Sequence, residues 1–80
     1  MAEQKDTIKD LEALINEIST QVENSRPGYD ASLKTVKDFR WLFDQESSKM
    51  NQAIFNSQTD QIHESCLKTI AVLVEILART

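Results

Sequence analysis

Eighty residues give room for one domain, 1–80, and a chain this short buries only a little over ~60% of its unfolded surface, so its stability is modest unless a partner adds core. A hydrophobic share of 40% and a charged share of 28% belong to a folded protein, while a single Gly and a single Pro leave room for long helices. The net charge of −4 argues against nucleic acid as a partner, because phosphate binding draws on clustered Lys and Arg.

The first predicted helix covers about residues 3–24. Ile8, Leu11, Ile15, Ile18 and Val22 alternate at spacings of three and four, which puts them on one stripe, and Leu14 widens it. Ile8, Ile15 and Val22 fall at heptad position a, and Leu11 and Ile18 at d, a pattern compatible with a coiled-coil seam. The segment is acidic, with Glu3, Asp6, Asp10, Glu12, Glu17 and Glu23 against Lys5 and Lys9. Ser25-Arg26-Pro27-Gly28 ends the helix: Pro cannot continue it, and Gly accepts a positive φ.

A second helix is predicted over about 30–55, with Asp30 as its N-cap. Val36, Phe39, Phe43, Met50 and Ala53 occupy its seam, Leu33, Leu42 and Ile54 flank it, and Lys34–Asp38 and Arg40–Asp44 are candidate one-turn ion pairs. The third helix, about 59–78, carries Cys66, Ile70, Leu73 and Leu77 as its seam, with Ile62, Leu67, Val74 and Ile76 beside it. That breadth implies contact on more than one side. Between the two stands Asn56-Ser57-Gln58-Thr59-Asp60, in which Ser57 and Asp60 have capping spacing. The apolar phase shifts by about one residue across it, roughly 100° of helix, which favours a break over one long helix.

The expected fold is all-α, an antiparallel up-down-up three-helix bundle; the alternative is a helical hairpin with a long second helix that dimerises. No catalytic, cofactor or metal site is expected. His63 is the only histidine, and it stands one turn before the only cysteine, Cys66, too few ligands to hold zinc within one chain. The carboxylates are scattered on polar faces, no Gly-rich loop or nucleophile elbow exists, and a filled small bundle lacks the volume of a small-molecule cleft. No membrane insertion is expected either, because the most apolar run, Ile70 to Leu77, is short and contains Glu75. The lone cysteine and an amino terminus without a signal-like apolar stretch point to the cytoplasm.

One anomaly bears on function. In Phe39-Arg40-Trp41-Leu42-Phe43, if Phe39 and Phe43 face the core then Trp41 points away from it, and Phe55 takes the same outer heptad position about 21 Å further along. Outward aromatics are what interfaces use. Trp41, Phe55, Tyr29 and the acidic Glu12 and Glu23 are therefore candidate partner-binding residues; the competing reading has the Tyr29 loop or the third helix cover Trp41, and Phe55 turn inward. The function this supports is a non-enzymatic interaction module, a small acidic adaptor, chaperone-like or regulatory, whose partner is another protein, itself, or both. The alternative is a self-assembling structural subunit. Glu64-Ser65-Cys66-Leu67-Lys68-Thr69-Ile70, the chain length and the helix-Pro-helix start resemble needle subunits of type III secretion systems over barely a third of the chain. The turn lacks the second Pro usual in that family, and no site residue is carried over from it.

Overall fold

In the computed structural model, the backbone is described for residues 2–80 and the side chains for residues 11–80. Ile8 and the charges up to Asp10 thus lie outside the described side chains. Three α-helices are present: α1 over Ala2–Ser25, α2 over Val36–Phe55 and α3 over Thr59–Ala78, with one 3-10 turn at Arg26–Gly28 after α1. The architecture is an all-α three-helix bundle in which α3 occupies the middle, packed against α2 on one side and α1 on the other. Glu17 of α1 lies level with His63 of α3, and Arg26 with Glu75, so α1 and α3 run parallel while α2 returns antiparallel between them in sequence.

The break before α3 falls where the phase shift places it, but the caps differ from expectation. Helix α2 starts at Val36, six residues later than predicted, because Asp30 is not its N-cap. The Asp30 carboxylate instead accepts the Ser32 backbone N–H at 2.9 Å and closes a local turn. The cap is Thr35, whose hydroxyl accepts the Asp38 N–H while the Asp38 carboxylate accepts the N–H groups of Thr35 and Lys34. This reciprocal box satisfies donors that the first helical turn leaves unpaired. Those backbone N–H bonds hold the Asp38 carboxyl below its ordinary 3.8. They also explain why no Lys34–Asp38 ion pair forms: the carboxylate is already engaged. Arg40 and Asp44 stay apart as well, whereas Lys68–Glu64 on α3 closes at 3.1 Å.

Thr35→Ala removes the hydroxyl half of this box and should cost about 1 kcal/mol. In a domain of this size that lowers the melting temperature by roughly 4–8 °C, read by circular dichroism; an unchanged melt would show that the box is not stabilising.

At the other turn, α3 begins after Gln58 without a side-chain cap, so the Ser57–Asp60 spacing goes unused. Ser57 has φ 54°, and its N–H and that of Gln58 bond back to the carbonyls of Ile54 and Ala53. Among the described residues the left-handed one is therefore Ser57, while Gly28 keeps a negative φ.

The core is small. Phe39 and Ala53 of α2, Ala71 and Val72 of α3, and Val22 of α1 are its buried apolar residues. Burial on α3 follows from its central place. Helical spacing turns Thr69, Val72 and Ile76 toward α2, and Ala71, Val74 and Glu75 toward α1. Val74 indeed shares a groove with Ile18 and Val22, and Val72 one with Leu42. The predicted α3 seam, Cys66, Ile70, Leu73 and Leu77, is consequently not the core. It falls toward the remaining side of the helix, where Leu73 is 40% exposed and Leu77 74% while Cys66 and Ile70 are half-buried.

Candidate interaction surface

One end of the bundle is locked by charge, and that lock decides which faces remain open. Glu75 stands in the most apolar stretch of the sequence and is 3% exposed. Its two oxygens are taken separately, one by Arg26 Nε at 2.8 Å and the other by Arg79 Nη1 at 2.9 Å. Burial pushes the Glu75 carboxyl up, but hydrogen bonds and charge from the two guanidiniums outweigh it and hold it below the ordinary 4.5. Arg79 also donates to the Lys34 carbonyl at 3.1 Å and lies 4.4 Å from the centre of the Phe39 ring. Tyr29 meets the same ring edge-on, with centroids 5.6 Å apart and planes at 78°. The 29–35 loop, the end of α3, the start of α2 and the turn after α1 are thereby joined. At the opposite end, among the described residues, the polar tie between α1 and α3 is the contact of His63 Nε2 with Glu17 at 2.6 Å.

Two faces of unlike character result. On one side, Gln21, Asn24, Tyr29, Leu42, Glu46 and Lys68 line an open groove of about 400 Å³. It continues into a second of about 310 Å³ bordered by Lys49, Gln52, Glu64 and Lys68. Open grooves of this size exist because α1 and α2 flank α3 without closing on each other, which the expectation of a filled bundle did not anticipate. The second is bordered mostly by polar groups, whereas the first is mixed, with Leu42, Val72 and Tyr29 beside Gln21, Glu46 and Lys68.

The opposite face is apolar. On α2, Val36, Phe43, Met50 and Ile54 lie roughly 100° round the helix from the groove residues Leu42, Glu46 and Lys49. On α3, the row Ile62, Cys66, Ile70, Leu73 and Leu77 lies roughly 160° from Glu64, Lys68 and Val72. Counting along both helices from the Asn56–Gln58 turn sets Ile54 level with Ile62, Met50 with Cys66 and Phe43 with Leu73, a register with which the Arg79–Phe39 contact agrees. The α3 row contains no charged side chain. Ile15, on the same side of α1 as Val22, is exposed beside the first turn of α3.

The predicted partner-binding residues are placed as follows. Trp41 is 60% and Phe55 88% exposed, so neither the loop nor α3 covers the indole and Phe55 does not turn inward. Tyr29 is half-buried against Phe39 and belongs to the internal cluster. Glu12 and Glu23 are exposed. Trp41 sits on the far side of α2 from α3, so the structure does not gather these residues into one patch with the α3 row. Sequence reasoning missed the Arg26–Glu75–Arg79 lock, although a glutamate inside an apolar run with an arginine one turn later is a legible sign of a buried, paired carboxylate.

Among the described residues, no group of three or more His, Cys, Asp or Glu side chains is arranged to hold a metal ion, and His63 is turned toward Glu17. No helix is long and apolar enough to cross a membrane among those residues. In comparisons with known proteins, no family model matches the chain, and no curated protein and no solved structure shows a significant match to it.

Proposed function

We propose that this protein is a non-enzymatic protein–protein interaction module, and that the apolar face of α2 and α3 is its docking surface. The observation that carries this reading is the outward row ending in Leu73 and Leu77, the two most exposed large apolar side chains of α3. An amphipathic helix in a finished monomer turns its apolar stripe to the core. Here Leu73 and Leu77 are displayed while Thr69, Ala71 and Glu75 are inside. An adaptor, chaperone-like or regulatory role fits a rigid helical layer with one oily and one polar face. The absence of an enzymatic role is supported by the state of the buried carboxylate, since Glu75 is saturated by two guanidiniums and has no proton to trade near neutral pH. A cytoplasmic setting fits the unpaired Cys66 within the row.

The test is site-specific photo-crosslinking in the native cell. A benzophenone side chain at position 77 should trap a protein in a discrete adduct, whereas the same probe at position 68, in the polar groove, should trap far less. Equal, diffuse labelling from both positions would remove the docking surface from consideration.

A further inference from the structure

We infer that α1 is a releasable strap: it comes off α3 as one unit, pivoting at Arg26, while α2 and α3 stay paired. The device concerns α1 alone and stands whatever occupies the apolar face of α2 and α3.

The first support is how little α1 buries. From Leu11 to Ser25 it puts one apolar side chain, Val22, into the core, while Leu11, Leu14 and Ile15 of its own stripe stay exposed. Where α2 meets α3, Phe39, Ala53, Thr69 and Val72 are all buried. Stabilisation follows the apolar area removed from water, so α2 and α3 hold each other more firmly than either holds the strap.

The second is a single line of contact. Among the described residues α1 packs on α3 and not on α2. Open grooves run along both its sides, one of about 400 Å³ past Gln21 and Asn24 and one of about 260 Å³ past Ile18 and Ser19. A helix of a closed bundle rests on two neighbours. Because α1 rests on one, its release breaks one interface and leaves the other intact.

The third is the unlike strength of its polar ties. Directly after the last turn of α1, Arg26 holds the buried Glu75 carboxylate at 2.8 Å, and Arg79 fixes that carboxylate from α3. The chain is tethered there. Further up α1, Glu17 meets His63 at 2.6 Å, but both side chains are about half exposed and water competes for such a pair. A helix anchored at one end and lightly tied along its length opens about the anchor. Off α3 it loses the packing on which most helical stability depends, so release and melting coincide. Release bares the α3 flank at Ala71 and joins the two grooves into one trough, with Val72 and Val74 on its floor. The strap thus controls access to that flank.

Native-state hydrogen exchange tests the strap, with amides read singly by NMR across a urea series below the unfolding transition. In the wild type, amides of residues 18–25 should share one opening free energy. They should exchange on the order of 100-fold faster than those of Ala71 and Val72, which open only with the whole molecule. Two variants separate release from global unfolding. Ala53→Gly weakens the α2–α3 contact, in which α1 has no part, so it should speed Ala71 and Val72 on the order of 10-fold and leave α1 unchanged. Val22→Ala should speed α1 and α3 amides alike, because Val22 is exposed in both the released and the unfolded chain. Equal protection of α1 and α3 in the wild type overturns the inference. So does an α1 that speeds together with α3 in Ala53→Gly, or one that keeps its wild-type rate in Val22→Ala. A protection gradient along 18–25 in place of one shared value is fraying, and it too overturns the strap.

Discussion

Phe39→Ala should lower the melting temperature by roughly 15–30 °C, the largest effect expected of any single substitution here. Phe39 is the largest fully buried side chain, 2% exposed, in a core with few other members. Its ring is also the shared contact of Tyr29 and Arg79, so truncation removes an aromatic edge contact and a guanidinium stack as well as opening a cavity. Truncating a buried Phe costs about 3–5 kcal/mol, while the total stability of an 80-residue domain is only about 4–12 kcal/mol. The variant should therefore melt with little cooperativity, followed by circular dichroism at 222 nm. A shift of only a few degrees would show that the 29–35 loop closes over the gap and that the core does not depend on this ring.

The second large effect concerns Glu75. Glu75→Ala leaves two guanidiniums facing a void and should destabilise by about 2–3 kcal/mol, below the usual cost of breaking a fully buried pair because both arginines reach solvent. The same carboxylate makes stability depend on pH. Its value is lower in the folded than in the unfolded chain, so its contribution is complete above the ordinary 4.5 and is lost as pH falls below that and through the folded value. Wild-type stability, measured by urea unfolding, should drop steeply in this acid window. Glu75→Gln should be less stable near neutrality and should lose much of that acid dependence. An acid limb of equal steepness in Glu75→Gln would assign it to other carboxylates, Asp38 and Asp30 first, since both are also held below their ordinary value.

These two sites mark where the sequence is legible and where it is not. Helix number, order and the ends of α1 and α3 follow from local rules: the three-and-four spacing of Ile15, Ile18 and Val22, and Pro27 after Ser25. The start of α2 was misplaced because Asp30 and Thr35 are both good caps by residue type. What separates them is that Thr35 has an acidic partner three residues on, in Asp38. The outward pose of Trp41 and Phe55 was readable from the heptad frame. The role of Tyr29 was not, because it depends on where a loop lands.

The face that α3 buries was the least readable feature. Periodicity identifies an apolar stripe but not the direction from which neighbours arrive, and a helix placed between two others is buried on its flanks. Small residues on those flanks, Ala71 and Thr69, admit close approach, and a carboxylate is tolerated there because Arg26 comes from 49 residues away in sequence. No local pattern announces that pairing. The stripe itself was correctly found; only its assignment to this molecule's own interior was wrong.

The outward leucines of α3 carry a consequence for the protein's life in a cell. If a partner shelters them, protection follows mass action: the more of that partner is bound, the harder the chain is for a protease or a chaperone to seize. Unbound chains would be cleared quickly and bound ones spared, so that turnover itself reports how much of the partner is present.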